Sequence, residues 1–115
     1  MLPWWEHPHG TLSLMRIIAK SSLDAYSREH AEARPSLEDW HAMARAASWS
    51  SMSDIVKHAF GRPSPVGASR VVFNIHHNAH RLIVDVDFTR QLLFIKFIGT
   101  HAEYDAIDPR TVSRY

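Results

Sequence analysis

Three stretches of the C-terminal half decide the fold: 70–75 (RVVFNI), 81–88 (RLIVDVDF) and 92–98 (LLFIKFI). In the first two, apolar side chains recur at every second position, which is the period of a half-buried β-strand. The third is apolar on both faces except at Lys96, as expected of a central strand. Because the connections at 76–80 and 89–91 are short, the strands are expected to form two consecutive hairpins, hence an antiparallel meander.

Upstream, a short strand is expected at 15–19 (MRIIA), and helical signals follow it. Ser21 or Ser22 is expected to cap a first helix, which Pro35 stops because proline disfavours helical geometry in the preceding residue. Ser36 is expected to begin a second helix, with Asp39 in an approximate capping box. The apolar stripe of this second helix consists of Leu37, Trp40, Met43, Ala44 and Ala47.

A third helix is expected from Ser53, with Ser51 and Asp54 as its cap, and Gly61 with Pro63 as its end. Its expected buried face consists of Ile55, Val56, Ala59 and Phe60. After the meander, Gly99 and Thr100 end the sheet and 101–107 (HAEYDAI) predicts a short final helix. Helices followed by a meander make the expected class α+β.

The composition indicates one folded domain: 115 residues, 45% hydrophobic and 22% charged. The absence of cysteine excludes disulfides, a thiolate nucleophile and cysteine-based zinc sites, and fits a reducing, cytoplasmic setting. The net charge of +1 excludes a strongly basic nucleic-acid binder. Residues 61–115 nevertheless hold 7 Lys/Arg against 5 Asp/Glu, a mild basic bias.

The first fourteen residues (MLPWWEHPHGTLSL) contain neither a basic start nor a long apolar run, so a signal peptide is not expected. No apolar run in the chain approaches the length of a membrane span. Trp4 and Trp5 either pack on the body of the protein, or residues 1–14 are an upstream extension and Met15 is the true start. We therefore divide the chain into 1–14 and a single domain at 15–115.

Three residues suggest chemistry, although each has an ordinary structural explanation. Arg81 opens a strand on its polar face, where a guanidinium can bind phosphate, but most arginines are simply exposed. His101 and Tyr104 share a face if their segment is helical. An imidazole can pass a proton near neutral pH and a phenol can stack on a base. A histidine at a helix start with a half-buried tyrosine is the ordinary alternative.

Two further clusters contain residue types that can bind metal ions, but the sequence pattern of neither indicates a metal site. The turn with His76, His77, Asn78 and His80 has no standard zinc spacing and is expected to be a surface turn. Asp85 and Asp87 face the same way on a strand, as in a magnesium nuclease, but no separate acidic motif completes such a site. Solvent-facing charges, or a docking surface for a basic partner, explain this pair better.

The C-terminal half resembles the HigB family, the messenger-RNA-cleaving toxins of type II toxin–antitoxin pairs with a RelE-like fold. The resemblance spans about 15–108 and lies in 70–75 (RVVFNI), Asn78, 81–84 (RLIV) and 94–105 (FIKFIGTHAEYD). The ending Thr-His-x-Glu-Tyr-Asp, Thr100 to Asp105, is its most specific part. The start at Met15 (MRII) is also similar, which favours residues 1–14 being an extension.

The resemblance implies roles for individual residues. Arg81 corresponds to a clamp on the scissile phosphate, His101 to a general acid or base, and Tyr104 to a group that positions or stacks on the substrate. Further contacts to RNA are expected from Arg70, Lys96, His76, His77 and Asn78. No metal or other cofactor is implied, because the 2′-hydroxyl of the RNA is the nucleophile.

The implied partners are mRNA, the ribosome and a small helix-turn-helix antitoxin similar to HigA, with no membrane. The chain departs from the family at His76 and His77, where members often carry a Gly-Gly pair, so the turn geometry is in question. Asp85 and Asp87 also reduce the basicity of that face. Two other functions remain open: gyrase poisoning, as in the related ParE toxins, and a catalytically silent module that binds an antitoxin-like repressor.

Overall fold

The computed structural model describes residues 14–115. In chain order it contains β1 (Arg16–Ile18), α1 (Lys20–Glu29), a 3₁₀ turn (Ala31–Ala33), α2 (Arg34–Ala46), α3 (Met52–His58), β2 (Ser64–Val66), β3 (Arg70–Ile75), β4 (His80–Asp87), β5 (Leu92–Thr100) and α4 (His101–Asp105). Trp4, Trp5 and most of the proposed extension lie outside the described residues. No helix of the described part is long and apolar enough to cross a membrane.

The strands form one five-stranded sheet in the order β1-β5-β4-β3-β2. The β3-β4-β5 meander is antiparallel, as predicted, and β1 pairs with β5 in parallel. The short strand β2, which sequence reasoning missed, pairs antiparallel with β3 at the edge of the sheet. Pro65 in its middle hides it from pattern analysis, because proline is tolerated in sheets almost only at an edge. The α+β prediction is confirmed.

The helices cover one face of the sheet, and the main core lies between the helices and the sheet. Trp40 of α2 meets Phe73 of β3 edge-on, with ring centroids 5.5 Å apart. The opposite face, which we call the open face, holds a smaller buried cluster of Val72, Ile83 and Phe97. Tyr104 of α4 and the segment that follows it pack against this cluster. The alternation predicted for β4 is confirmed, since Leu82, Val84 and Val86 join the main core.

The predicted start of the second helix was wrong. Helix α2 begins at Arg34 and takes Pro35 into its first turn, where the missing N–H of proline costs no hydrogen bond. Ser36 therefore lies inside the helix and no side chain caps it. The cap predicted for α1 was also wrong: Ala19 precedes the helix in left-handed geometry (φ 71°) and the Ser22 hydroxyl donates to its carbonyl at 2.6 Å.

The third and last helices are shorter than predicted. The Ser51 cap of α3 is confirmed, because the backbone N–H of Asp54 donates to its Oγ at 3.2 Å. Ile55 is buried, but Val56 and Phe60 are about half exposed, so their assignment to the buried face was wrong. Helix α3 ends at His58, ahead of Gly61. Strand β5 continues through Thr100, because pairing with His80 extends the ladder, and α4 ends at Asp105.

Candidate nucleic-acid interface

Arg81 projects from β4 onto the open face, opposite Asn74 of β3 and Gly99 of β5. Its Nη1 donates to the carbonyl of Asn78 at 2.9 Å, and its guanidinium carbon lies 5.7 Å from the centre of the Tyr104 ring. The hydrogen bonds of this guanidinium to the described residues use Nη1 alone. The fork formed by Nε and Nη2 is thus available to an oxyanion, whose two oxygens it fits.

Helix α4 brings Tyr104 to Arg81 because of how the chain leaves β5. Thr100 caps the helix: its Oγ1 accepts from the N–H of Glu103, whose carboxylate accepts from the N–H of Thr100. Gly99 makes the close approach possible, since a Cβ there would lie 2.5 Å from Cζ of Phe97. The Tyr104 ring then stands 6.5 Å from the Phe97 ring, on the open face.

His101 begins α4 beside the β3–β4 turn. Its backbone N–H donates to the carbonyl of Ala79 at 2.9 Å, which joins the helix start to the turn. Its side chain is about half exposed, and Nδ1 lies 3.1 Å from Oδ2 of Asp105. A carboxylate at that distance can accept a hydrogen bond from the ring and orient it. Backbone pairing thus groups the three predicted catalytic residues, with His101 two positions after the partner of Arg81.

Positive charges and aromatic rings alternate over the open face. The Arg114 guanidinium lies 4.7 Å from the Phe97 ring centre, and the Lys96 ammonium lies 5.7 Å from that of Phe94. With the Arg81–Tyr104 pair, this makes three cation–π contacts on one side of the sheet. Aromatic faces and cations are the two groups with which proteins hold single-stranded nucleic acid.

Lys96 and Arg70, the two basic residues on the strands that flank β4, differ in what they contact. Lys96 is the extra residue of a β-bulge, where Ile83 pairs with Phe97 while Val84 pairs with Ile95. Arg70 is largely buried, and its Nη1 donates to the carbonyls of Pro109 and Val112. Those bonds hold the C-terminal segment on the sheet, so we leave Arg70 outside the proposed RNA contacts.

Both carboxylates of β4 have partners within the chain. Asp85 accepts from Ser69 Oγ at 2.6 Å and from Arg70 Nε at 3.4 Å. Asp87 accepts from the backbone N–H and from Nε of Arg90, and these hydrogen bonds lower the pKa of Asp87. The two carboxylates therefore hold the sheet and its hairpin together. Arg70 and Arg90 partly neutralise their charge.

The β3–β4 turn keeps the geometry that glycines would favour. His76 and His77 both have positive φ, 51° and 59°, in the left-handed region that most residues avoid. The N–H of Ala79 donates to the carbonyl of His76 and closes the turn. The turn therefore has left-handed backbone at both histidines, and it places the carbonyl of Asn78 against the Arg81 guanidinium.

His80 was expected in a surface turn, and this was wrong. It is the first residue of β4, is 2% exposed, and faces the helices rather than solvent. The Tyr26 hydroxyl lies 2.6 Å from its Nδ1, and Oε1 of Glu32 lies 3.2 Å from its Nε2. Burial lowers the pKa of His80, and burial likewise raises the pKa of Tyr26, so both rings stay neutral near pH 7.

Sequence reasoning missed four residues near these sites: Tyr26, His30, Glu32 and Arg114. The first three lie about 50 residues before His80, and no spacing rule connects them to it. Arg114 follows the last predicted element and is placed by a hydrogen bond from its N–H to the Lys96 carbonyl. Only the fold brings these groups to the sheet.

Comparison with known proteins gives one family. Residues 33–107 match the HigB toxin family, described as the RelE-like toxic component of a toxin–antitoxin system. The match covers more than half of the chain, from the end of the 3₁₀ turn to just beyond α4. No curated protein matches the chain.

Proposed function

The chain belongs to the HigB toxin family and is the toxic component of a toxin–antitoxin system, and we propose that it is a metal-independent endoribonuclease that cleaves mRNA, with help from the ribosome. An antitoxin partner follows from the family. We propose that this antitoxin is a small helix-turn-helix protein similar to HigA and that the toxin works in the cytoplasm. We also propose that residues 15–115 form the toxin domain and 1–14 an extension.

The observation that carries the proposal is the arrangement of Arg81 on Tyr104 beside His101. The site offers an arginine whose Nε and Nη2 make no hydrogen bond to the described residues, an aromatic ring 5.7 Å from it, and a half-exposed histidine on the same short helix as that ring. These groups can serve as a phosphate clamp, a stacking surface and a proton carrier. RNA presents matching groups, namely a phosphate, an unstacked base and a ribose 2′-hydroxyl. A toxin that acted by binding alone would not need a proton carrier here.

The proposed reaction uses the RNA as its own nucleophile. The 2′-oxygen loses its proton and attacks the adjacent phosphorus, and the bond from phosphorus to the 5′-oxygen breaks. The products are a 2′,3′-cyclic phosphate and a 5′-hydroxyl. Arg81 stabilises the charge that develops on the phosphate oxygens, and His101 transfers a proton at the 2′- or the 5′-oxygen. Tyr104 holds Arg81 in place and stacks on a base.

The modest charge of the protein supports a role for the ribosome. With a net charge of +1, the chain lacks the dense positive field that captures free RNA unaided. A ribosome holds the mRNA in an extended path, so the order needed for in-line attack is supplied before the toxin binds. Further contacts at the edges of the site then come from Lys96, His76, His77 and Asn78.

The test is cleavage of a defined mRNA in a cell-free translation reaction, with new 5′ ends mapped by primer extension. We expect cuts that require translation and that toxin stripped of transition metals with EDTA before its addition makes equally well. Arg81→Ala and His101→Ala are each expected to slow cleavage about 100-fold or more. Arg90→Ala and His58→Ala are the matched controls, since both residues are exposed and lie elsewhere.

Each alternative has its own result. No new ends from folded wild-type protein would overturn the nuclease proposal, and loss of DNA supercoiling in the same extract would indicate gyrase poisoning. Antitoxin binding without either effect would indicate a silent binding module. Cleavage of free RNA without ribosomes would keep the nuclease and remove the ribosome from the proposal.

A further inference from the structure

Three potential metal ligands meet on the helix side of the sheet, away from Arg81 and Tyr104. They are His30 at the end of α1, Glu32 in the 3₁₀ turn and His80 at the start of β4. One ligand atom from each lies within 4.8 Å of the other two. Among the described residues, this is the one group of three or more such side chains close enough to share an ion.

The distances suit a tetrahedral site. Oε1 of Glu32 lies 3.2 Å from Nε2 of His80 and 3.6 Å from Nδ1 of His30. Zinc bonds of about 2.0–2.2 Å to nitrogen and oxygen place two tetrahedral ligand atoms about 3.3–3.5 Å apart. Both distances from Glu32 are therefore near the separations that a bound ion would impose, and the ligand nitrogens of the two histidines lie within 4.8 Å of one another.

His80 is the ligand that most needs a partner. Its Nε2 is buried and has no well-aligned hydrogen bond among the described residues, although Oε1 of Glu32 lies 3.2 Å away. A buried polar atom without a partner is costly. A lone pair directed at an ion between His80 and Glu32 would satisfy it.

Tyr26 would fix the ligand geometry. Its hydroxyl lies 2.6 Å from Nδ1 of His80, so that nitrogen can donate to the phenol oxygen while Nε2 binds a metal. Metal-binding histidines generally have such a partner on their second nitrogen. The same ring stacks on His30, with centroids 4.2 Å apart and planes 21° apart, and so orients two of the three ligands.

We propose that His30, Glu32 and His80 bind a divalent transition-metal ion of the zinc class, with Tyr26 positioning the histidines and water as the fourth ligand. Two imidazoles and one carboxylate favour zinc, cobalt or nickel over magnesium and calcium, which prefer oxygen ligands alone. Glu32 is half exposed, so an ion can enter from solvent. The proposal does not depend on RNA cleavage, which uses other residues.

The ion would act on the fold. It would join the end of α1 and the 3₁₀ turn to the first residue of β4, the neighbour of Arg81. An ion that binds the folded chain and not the unfolded one raises the melting temperature by mass action. We therefore expect a structural site whose occupancy stiffens the start of β4.

The test is to titrate the metal-free, full-length chain with ZnCl₂. Calorimetry measures binding, and thermal unfolding measures the change in stability. We expect one saturable equivalent and a rise in Tm of several degrees. Co²⁺ is expected to give the intense visible absorption of a four-coordinate ion. His30→Gln and Glu32→Gln should each weaken binding at least tenfold, and Tyr26→Phe should weaken it by about tenfold.

Controls separate this site from the other histidines. His58→Gln, His77→Gln and a His7→Gln/His9→Gln double variant should bind Zn²⁺ as the wild type does. His80→Asn is not the primary variant, because a buried change can unfold the chain. The proposal is overturned if Zn²⁺ does not bind in a saturable manner, or if His30→Gln and Glu32→Gln bind it as tightly as the wild type.

Discussion

The two faces of the sheet differ in what they bury. Among residues 14–115, seventeen buried side chains form the cluster on the helix face, whereas three form the cluster on the open face. The open face instead carries Arg81, Lys96 and Arg114, each against an aromatic ring. Because burial drives folding, the helix face supplies most of the stability, and the open face can hold charges that folding does not require.

Adjacent residues of β4 test this division most directly, because Leu82 and Arg81 point to opposite faces. Leu82 is fully buried, so Leu82→Ala should lower the free energy of unfolding by about 2–5 kcal/mol. Arg81→Ala removes two hydrogen bonds to backbone carbonyls, one of them long at 3.5 Å, and one cation–π contact, so its cost should stay below about 1 kcal/mol. Urea unfolding of both variants measures the difference, and equal losses would contradict the division.

Gly99 tests how the open face is assembled. A Cβ at this position would lie 2.5 Å from the Phe97 ring and 3.2 Å from Cβ of Glu103, so the ring or α4 must move. Gly99→Ala is expected to cost about 1–3 kcal/mol and to reduce RNA cleavage by displacing Tyr104.

A double-mutant cycle identifies the cause of that loss. Adding Phe97→Leu makes room for the new methyl group, so the double variant should be more stable than the sum of the single changes predicts. Strict additivity would show that the clash with Phe97 does not account for the effect of Gly99→Ala.

Patterns that depend on neighbours in sequence were predictable. The period of two at 70–75 and 81–88 gave the meander and the face of each side chain, because alternation follows from strand geometry alone. The family resemblance added Arg81, His101 and Tyr104, and the fold groups them through the pairing of Arg81 with Gly99.

Features that depend on tertiary contacts were not predictable. Pro35 signals a helix stop or a helix start equally well, and only packing of Leu37 and Trp40 decides between them. His80 looked like part of a polar turn because its neighbours are polar, yet pairing with Ile75 and Thr100 places it under α1. Val56 and Phe60 fit an apolar stripe, but no helix or strand within residues 14–115 covers them.

The cap of α4 is expected to have a smaller effect than Gly99. Thr100→Ala removes the acceptor for the Glu103 N–H and should cost about 1 kcal/mol, whereas Thr100→Ser should cost little because it keeps the hydroxyl. Circular dichroism during urea unfolding measures both. A loss as large for serine as for alanine would mean that packing of the methyl group, and not the cap, matters.

The same cap predicts a dependence on pH. The hydrogen bond from the Thr100 N–H lowers the pKa of Glu103 below its ordinary 4.5. A carboxyl with a lowered pKa in the folded state stabilises the protein above its unfolded pKa, and this contribution disappears as pH falls through the folded value. The stability difference between wild type and Glu103→Gln should therefore shrink from pH 7 to pH 3. A constant difference would contradict a charge-dependent cap.

The smallest expected effect concerns the turn beside the proposed site. His77 is exposed and has a φ of 59°, a geometry that costs an L-residue about 1–2 kcal/mol and glycine almost nothing. Glycine loses more backbone entropy on folding, about 0.5–1 kcal/mol, so His77→Gly should stabilise the protein by only a few tenths of a kcal/mol. His77→Ala keeps the strain and should not stabilise it. If cleavage falls in both variants while stability rises only in His77→Gly, the imidazole contributes to RNA binding, and its contribution explains why a strained histidine stands in this turn. If cleavage is unchanged in both variants, the histidine serves only as a turn residue.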